Sequence, residues 1–337
     1  MKVAGIDCGT NTVRLLISEV DPGKKNVLGG PVLKDIVRTM EVVRLGAGVD
    51  RTGKFNDAAL ERTLRMVEKY ALLCREHEVE SIRFAATSAT RDAENRDIFI
   101  DGVRNFFGVR PQVLTGKEEA RTSFIGAVCA LDGNNAAQGN IASPMIAVDL
   151  GGGSTELALG TAAGDLLASY SMDVGSVRMH ERHLGSGKAS AEKIAAARED
   201  VRHFLDLAEK HVDFGAARAL IGLAGTVTSI TAQWLGLAQY DSARIHGAVM
   251  TLAEINEICD WFLNSSLEQR LAISFMHPGR ADVINAGALV WQEVVNRVAQ
   301  RTAEAGNPLT QAVTSEHDIL DGLALWAAAD PQQPKFR

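Results

Sequence analysis

The chain has 337 residues, of which 46% are hydrophobic and 23% charged, a balance typical of a globular protein large enough for two domains. The net charge of -7 argues against a general nucleic-acid-binding protein, which usually carries a basic excess. No apolar run is long enough to cross a membrane. The four cysteines show no metal-ligand spacing and no disulfide framework, so we expect a reducing, cytoplasmic location.

The first third of the chain alternates strands and helices. Short apolar runs predict the strands, and Asn56 is a good N-cap for a long amphipathic helix. The predicted elements are strands 3–7, 13–20 and 37–44, a helix 56–76, a strand 81–86, a helix 96–107 ending at Gly108, a strand 111–114 and a helix 117–131.

A polar, glycine-containing loop over residues 132–143 indicates a domain boundary. After it the opening of the chain repeats, with a strand 145–149, a glycine turn 150–154 and strands 155–160 and 166–172. Helices with a strand at 219–223 follow, and residues 252–305 are predicted to be almost wholly helical. This repeat predicts two similar α/β domains facing each other across a cleft. Disorder is expected only in the polar C-terminal stretch 330–337.

The two repeated turns have the composition of phosphate-binding loops. Each follows an apolar strand that ends in an aspartate, and glycines let the backbone N–H groups approach an anion closely. A tight hairpin explains the first turn alone equally well, but two such turns favour phosphate binding. The predicted phosphate ligands are Gly9, Thr10, Asn11 and Thr12 in the first turn and Gly151, Gly152, Gly153, Ser154 and Thr155 in the second.

Carboxylates beside the turns suggest a cation site. An aspartate cannot bind phosphate directly because like charges repel, but Asp7 and Asp149 could hold a metal ion that binds it. Glu156 would lie near Asp149 across the second hairpin and share that ion. A solvated strand glutamate is the alternative for Glu156.

A third acidic feature opens the helix at residues 116–121, which read GKEEAR. One of Glu118 and Glu119 could activate water, but adjacent helix residues point in different directions, so both cannot. Complementing the helix dipole is the simpler explanation from sequence alone.

Two further segments are candidates for anion binding. Arg91 follows the strand 81–86 and could contact phosphate oxygens, or it could form a surface ion pair with Asp92 or Glu94. Residues 222–226 enter a helix as a glycine turn, which suits either a nucleotide or close strand–helix packing. Cys8 is predicted to be a small buried filler rather than a nucleophile.

These segments, in this order, resemble the exopolyphosphatase/guanosine pentaphosphate phosphohydrolase (Ppx/GppA) family, within the actin-like, sugar-kinase and Hsp70-type superfamily. Residues 222–226, 279–282 and 315–325 add weaker matches. The motifs that carry the resemblance are residues 4–12 (AGIDCGTNT), 86–95 (ATSATRDAEN), 116–121 (GKEEAR) and 148–157 (VDLGGGSTEL).

The resemblance implies two RNase H-like domains, 1–131 and 132–313, with a last helix at about 314–330 packing back on the first. It implies release of orthophosphate from the end of inorganic polyphosphate with Mg²⁺, or with Mn²⁺ as an alternative. The family's catalytic glutamate falls on Glu119, its metal or water-positioning carboxylates on Asp149 and Glu156, and its phosphate-binding arginine on Arg91.

The chain departs from the family pattern in three places. The extra C-terminal helical domains of longer members are not expected here, which leaves the preferred polyphosphate length open. Cys8-Gly9-Thr10-Asn11-Thr12 stands where serines are commoner, and Asp321-Gly322 stands where Arg-Glu-Gly is frequent. A homodimer is expected, and the apolar stretch 284–298 suits either the core or a dimer interface.

Alternative functions remain open from sequence. Guanosine pentaphosphate hydrolysis, with a (p)ppGpp-type substrate, is the rival within the family. An actin-like kinase or ATPase, with residues 222–226 as its adenosine site, is a different class of enzyme. A protein that binds polyphosphate without hydrolysing it is the third alternative.

Overall fold

A computed structural model describes residues 1–130, 142–185 and 187–336. The chain divides into two compact units: Met1–Ala130 with Asp318–Arg337, and Leu131–His317. The predicted boundary loop 132–143 falls mostly outside the described residues. Among the described residues we find no helix whose length and hydropathy would let it span a lipid bilayer.

The first unit is built on a five-stranded mixed sheet in the order β3-β2-β1-β4-β5. Three consecutive antiparallel strands, β1, β2 and β3, form one half of it, and β4 and β5 run parallel to β1. Asn56 caps α2 through its side chain, and Gly108 ends α4 in the left-handed conformation, both as predicted. The elements are β1 Lys2–Cys8, β2 Thr12–Lys25, β3 Pro31–Val42, α1 Val49–Thr52, α2 Asp57–Glu76, β4 Ser81–Ala86, α3 Ser88–Asp92, α4 Arg96–Phe107, β5 Gln112–Val113 and α5 Gly116–Cys129.

The second unit repeats this arrangement. Its six-stranded sheet has the order β10-β11-β9-β6-β7-β8, with β6, β7 and β8 forming the antiparallel half and β9 and β11 running parallel to β6. The elements are β6 Met145–Leu150, β7 Thr155–Gly160, β8 Leu166–Met172, α6 Ser176–Met179, a π-helical turn His180–Leu184, α7 Ala191–Ala208, a 3₁₀ turn Phe214–Ala216, β9 Ala219–Leu223, α8 Ala224–Trp234, α9 Ser242–Ile245, β10 Val249–Thr251, α10 Leu252–Asn264, α11 Leu267–Leu271, α12 Pro278–Ala281, α13 Ile284–Glu304 and β11 Gln311–Thr314.

The predicted fold class is therefore confirmed: the protein is α/β, with two RNase H-like sheets of matching topology. The apolar stretch 284–298 lies in α13, where Ile284, Leu289, Val294 and Val298 are fully buried in the core of the second unit. Of the two roles that the sequence left open for this stretch, the structure shows the core.

The last helix, α14 Ile319–Ala329, belongs to the first unit. It begins at residue 319, later than the predicted 314, because Asp318 is its N-cap and forms a capping box with Asp321. It packs against α5 so closely that glycines are required: a Cβ built at Gly126 would lie 1.9 Å from the backbone oxygen of Asp318, and one at Gly322 would lie 2.1 Å from that of Thr122.

The polar C-terminal tail is bound rather than disordered as far as Phe336, contrary to the expectation from its composition. The backbone N–H of Lys335 donates to the carbonyl of Phe107 at 2.8 Å. The ring of Phe336 lies 6.0 Å from that of Phe107, centroid to centroid. An aromatic residue at the end of a polar segment thus completes the core of the first unit.

Candidate active site

The first predicted phosphate loop is a tight turn closed by a hydrogen bond from the N–H of Gly9 to the carbonyl of Thr12 at 2.9 Å. The chain that follows β3 packs behind it: Gly46 donates its N–H to the carbonyl of Thr10, and Arg44 donates to that of Asn11, both at 2.8 Å. The carbonyl groups of Thr10 and Asn11 are thus hydrogen-bonded by the segment that follows β3.

The second loop is built in the same way. Gly151 donates its N–H to the carbonyl of Ser154 at 3.0 Å, and the N–H groups of Ser176 and Val177 donate to the carbonyls of Gly151 and Gly152. Gly175 has to be glycine, because a Cβ there would lie 2.5 Å from the backbone of Gly152. The internal repeat seen in sequence therefore extends to individual hydrogen bonds.

Both turns keep donors available for an anion. In the described part of the chain, the N–H groups of Thr10, Asn11, Gly152 and Gly153 donate to no backbone carbonyl. The side-chain atoms Thr10 Oγ1 and Asn11 Oδ1 are buried and have no hydrogen-bond partner there. Of the two, the Thr10 hydroxyl can donate to an anion, whereas the Asn11 amide oxygen can only accept a hydrogen bond. Buried polar atoms are normally paired, so unpaired ones at a glycine turn indicate ligand binding. Thr155 differs, because its hydroxyl donates to the carbonyl of Val174 at 2.6 Å.

Three segments of the first unit meet at one edge of its sheet. Because β1, β4 and β5 are parallel, the turn at Gly9, the segment after Ala86 and the start of α5 all follow carboxyl ends of adjacent strands. The N–H of Thr87 donates to the carbonyl of Cys8 at 3.2 Å, and that of Leu114 donates to the carbonyl of Ala86 at 3.0 Å. This is the edge at which α/β sheets bind their ligands.

The structure separates the roles of the two adjacent glutamates. Glu118 is exposed and forms a capping box with Thr115, accepting from its N–H at 2.8 Å and from its hydroxyl at 2.7 Å. Glu119 is buried, with 7% of the whole residue exposed. Its Oε2 accepts a hydrogen bond from Arg91 Nη1 at 2.5 Å. Both glutamates lie in the first turn of α5, where they complement the helix dipole as the simpler explanation from sequence has it, and Glu118 caps the helix as well.

The environment of Glu119 raises its pKa to about 7. Burial is the largest cause, and the charge and hydrogen bond of Arg91 oppose it. The nearby charge of Asp7 raises the pKa further, whereas a hydrogen bond from the Thr87 hydroxyl lowers it. A carboxylate whose pKa lies near neutrality is suited to accept a proton from water.

Asp7 is held by an arginine that the sequence did not single out. Arg14 donates to Asp7 Oδ2 from Nε at 3.0 Å and from Nη2 at 2.8 Å, and its Nη1 donates to Asp318 Oδ2. Burial raises the pKa of Asp7 despite this ion pair. The register of β1 and β2, which places Asp7 opposite Arg14, is the signal that could have identified the pair.

The two carboxylates predicted as metal ligands in the second unit are neighbours in its sheet. Asp149 and Glu156 are directly opposite in the antiparallel pair of β6 and β7, so their buried side chains share one face of the sheet. Glu156 Oε1 also accepts from Ser171 Oγ at 2.7 Å. Among the described residues, no group of three or more His, Cys, Asp or Glu side chains could hold a metal ion. Two carboxylates fit Mg²⁺, which commonly takes one or two and fills its other positions with water and substrate phosphates.

The remaining candidates have structural explanations. Gly222 packs so that a Cβ would lie 2.7 Å from the ring of Trp291, and one at Gly225 would lie 2.3 Å from the guanidinium of Arg280. Close packing thus accounts for the glycines of residues 222–226. Cys8 is buried, and burial raises the pKa of its thiol well above the ordinary value, as suits a filler.

Comparison with known proteins shows which family the chain belongs to. Residues 16–320 match the model of the Ppx/GppA phosphatase family. The chain is 42% identical to a Mycobacterium tuberculosis protein named Exopolyphosphatase 2, over 96% of this chain and 98% of that one. A solved structure of an exopolyphosphatase-like protein is 40% identical, with a TM-score of 0.89 over 96% of this chain and 98% of that one. The Aquifex aeolicus Ppx/GppA member is 25% identical, with a TM-score of 0.74 and 98% of each chain covered. The chain belongs to the Ppx/GppA phosphatase family.

Proposed function

We propose that this chain is an exopolyphosphatase that removes the terminal phosphate of inorganic polyphosphate by water attack. The observation that carries the proposal is the burial of the Glu119 carboxylate, whose pKa is raised to about 7, at the same edge of the first sheet as the turn that begins at Gly9. The 42% identity to a protein named Exopolyphosphatase 2 supports the choice of substrate.

Glu119 is the proposed general base. It accepts a proton from a water molecule whose oxygen then bonds to the terminal phosphorus, while the bridging P–O bond breaks. The products are orthophosphate and a phosphate chain shorter by one unit. Positioned bases of this kind accelerate a reaction by about 10²- to 10⁴-fold.

The turns are the proposed phosphate ligands. The proposed ligand segments are Gly9, Thr10, Asn11 and Thr12 in one unit and residues 151–154 in the other. Within them the N–H groups of Thr10, Asn11, Gly152 and Gly153 and the hydroxyl or amide side chains would stabilise charge on phosphate oxygens without adding charge themselves, while Gly9 and Gly151 use their N–H groups to close the turns. Thr155 supports the second turn through its bond to Val174. That the two turns hold a single phosphate chain between two domains stays a prediction.

Asp149 and Glu156 are the proposed ligands of a Mg²⁺ ion, with Mn²⁺ as the alternative and Asp7 as a further predicted ligand. The bound ion would offset negative charge on the phosphate oxygens. The predicted homodimer and cytoplasmic location likewise stay predictions of the sequence.

Measuring orthophosphate release from four substrates tests the proposal: short polyphosphate, long polyphosphate, guanosine pentaphosphate and ATP, each with and without Mg²⁺. Of the two polyphosphates, we expect the one that is hydrolysed faster to have a kcat/KM at least about tenfold higher than that of either nucleotide. The reason is that tight binding of a nucleotide requires a pocket for its base, which the two turns do not provide. Release should stop when EDTA removes the metal.

Each alternative function has its own outcome in that assay. Faster phosphate release from guanosine pentaphosphate than from polyphosphate would make guanosine pentaphosphate the substrate. That compound is in the name of a Pseudoalteromonas atlantica relative, which is 31% identical over 68% of this chain and 42% of its own length. ATP-dependent transfer to a sugar or acid acceptor would indicate a kinase. Tight binding of polyphosphate without release would indicate a sensor.

A further inference from the structure

Arg91 is held in one orientation by the edge of the sheet. Its Nη1 donates both to Glu119 Oε2 at 2.5 Å and to the backbone carbonyl of Leu114 at 2.9 Å. That carbonyl is itself fixed, because the N–H of Leu114 bonds to Ala86 in the neighbouring strand. The guanidinium therefore links the proposed base to the rigid backbone of the first unit.

The contact is more than a surface ion pair. The side chain of Arg91 is 22% exposed and that of Glu119 is 10% exposed, so solvent screens the pair weakly. Arg91 on α3 supplies the positive charge that faces Glu119, Asp7 on β1 supplies a negative one, and Thr87 supplies a hydroxyl. Asp7 is in turn paired with Arg14, which also contacts Asp318.

The family resemblance implies a phosphate-binding role for Arg91, and such an arginine presents N–H groups to the substrate. The structure adds a second role for one of its nitrogens, because Nη1 is directed at the Glu119 carboxylate and at the main-chain oxygen of Leu114. A fixed cation at this position does two things for a base: it holds the accepting oxygen in one direction, and it favours the ionised form.

We propose that Arg91 is the positioning residue of Glu119, acting on the rate through the orientation and ionisation of the base rather than through affinity for the phosphate chain. The inference rests on the proposed function, since it assigns Arg91 a role only if Glu119 is the base. It predicts that Arg91 and Glu119 act as one unit in kinetics.

The test compares Arg91→Gln, Arg91→Lys and the double variant Arg91→Gln/Glu119→Gln, with polyphosphate as substrate and kcat and KM measured from pH 5.5 to 9. For Arg91→Gln we expect kcat to fall by about 10- to 100-fold at pH 7, with KM changed by less than about threefold. The acidic limb of its pH profile should move up by about one pH unit or more, because the positive charge of Arg91 lowers the pKa of Glu119 and its removal lets that pKa rise. Arg91→Lys, which keeps the charge, should restore part of both effects.

The double variant separates a shared role from an independent one. If Arg91 acts through Glu119, adding Arg91→Gln to Glu119→Gln should lower the residual rate by less than about twofold. The control is Arg104→Gln on α4, which removes an exposed arginine whose ion pair is with Asp101 one turn earlier and should leave all parameters unchanged.

Other results would overturn the inference. A KM at least tenfold higher for Arg91→Gln, with the pH limb unmoved, would make Arg91 a phosphate ligand and leave the proposed base intact. If Glu119→Gln itself retains wild-type turnover, the proposed base is wrong and the role of Arg91 falls with it. Should Arg91→Gln fail to fold, a KM at least tenfold higher with an unchanged kcat in Arg91→Lys would still refute the positioning role, and a lowered kcat with an unchanged KM would support it.

Discussion

Replacing Glu119 by Gln is expected to lower the rate of phosphate release from polyphosphate by about three orders of magnitude, because the amide cannot accept a proton from water. The substitution keeps the size of the side chain and an oxygen that can accept from Arg91. Binding of polyphosphate should therefore persist, and the loss should appear in kcat rather than KM. Steady-state phosphate detection and calorimetric titration with polyphosphate measure the two quantities.

The neighbouring residue provides a matched control. Glu118→Gln makes the same chemical change one position earlier, and glutamine is also accepted in a capping box. We expect its kcat to stay within about twofold of wild type. Equal losses for both variants, or wild-type turnover by Glu119→Gln, would remove Glu119 from the reaction.

Protein stability distinguishes loss of the base from loss of the fold. The folded-state pKa of Glu119, about 7, lies above its ordinary value of 4.5, so ionising it costs folding free energy as pH rises from 4.5 to 7. At pH 8 this cost reaches up to about 3 kcal/mol, and Glu119→Gln removes it. The inactive variant should therefore unfold no earlier than wild type at pH 8.

Substituting Gly322 by Ala should destabilise the first unit by about 3 kcal/mol or more, since the added carbon would lie 2.1 Å from a backbone oxygen of α5 and the two helices would have to separate. In an ordinary helix the same change stabilises by roughly 1 kcal/mol, so the sign of the effect is diagnostic. Urea unfolding measures it.

The control for Gly322→Ala is Gly23→Ala in the exposed part of β2, where an added Cβ meets nothing closer than an Asp21 oxygen at 3.4 Å. It should change the free energy of unfolding by less than about 0.5 kcal/mol. A Gly322→Ala variant as stable as wild type would contradict the close packing of α5 and α14. The same contact explains Asp321-Gly322: glycine permits the approach, while Asp321 pairs with Arg38.

The repeated turns were predictable because their chemistry is local. An aspartate at a strand end, followed by glycine and a hydroxyl or amide residue, specifies a tight turn whatever the rest of the fold does. The matching bonds Gly9–Thr12 and Gly151–Ser154 confirm that prediction. The opposed positions of Asp149 and Glu156 follow from the same hairpin geometry.

Elements that depend on distant partners were missed. β11 has four residues and is defined by its pairing with β9, some ninety positions earlier, so no local pattern identifies it. The packing of Gly46 behind the first turn and of Gly175 behind the second was missed as well. The sequence does contain a signal for it, because a glycine follows shortly after β3 in the first unit and after β8 in the second. The predicted strand 13–20 is shorter than β2, because a register shift between Asp21 and Lys25 lets the strand continue past residue 20.

The choice between Glu118 and Glu119 marks the limit of the sequence for the site. Spacing shows that the two side chains diverge, but not which one is buried. Burial beneath the sheet edge and the contact with Arg91 come from three separate segments of the first unit, residues 87–91, 114 and 119. The assignment to Glu119 came from the family resemblance, and the structure shows that Glu119 is the buried one of the two.

The pH dependence of kcat for polyphosphate hydrolysis tests the central role of Glu119 most directly. With Mg²⁺ saturating at every pH, log kcat should rise with unit slope at acidic pH and level off near pH 7, where Glu119 becomes ionised. The residual rate of Glu119→Gln should lack that limb. A wild-type rate that is flat from pH 5.5 to 8.5, or the same limb in Glu119→Gln, would contradict the account.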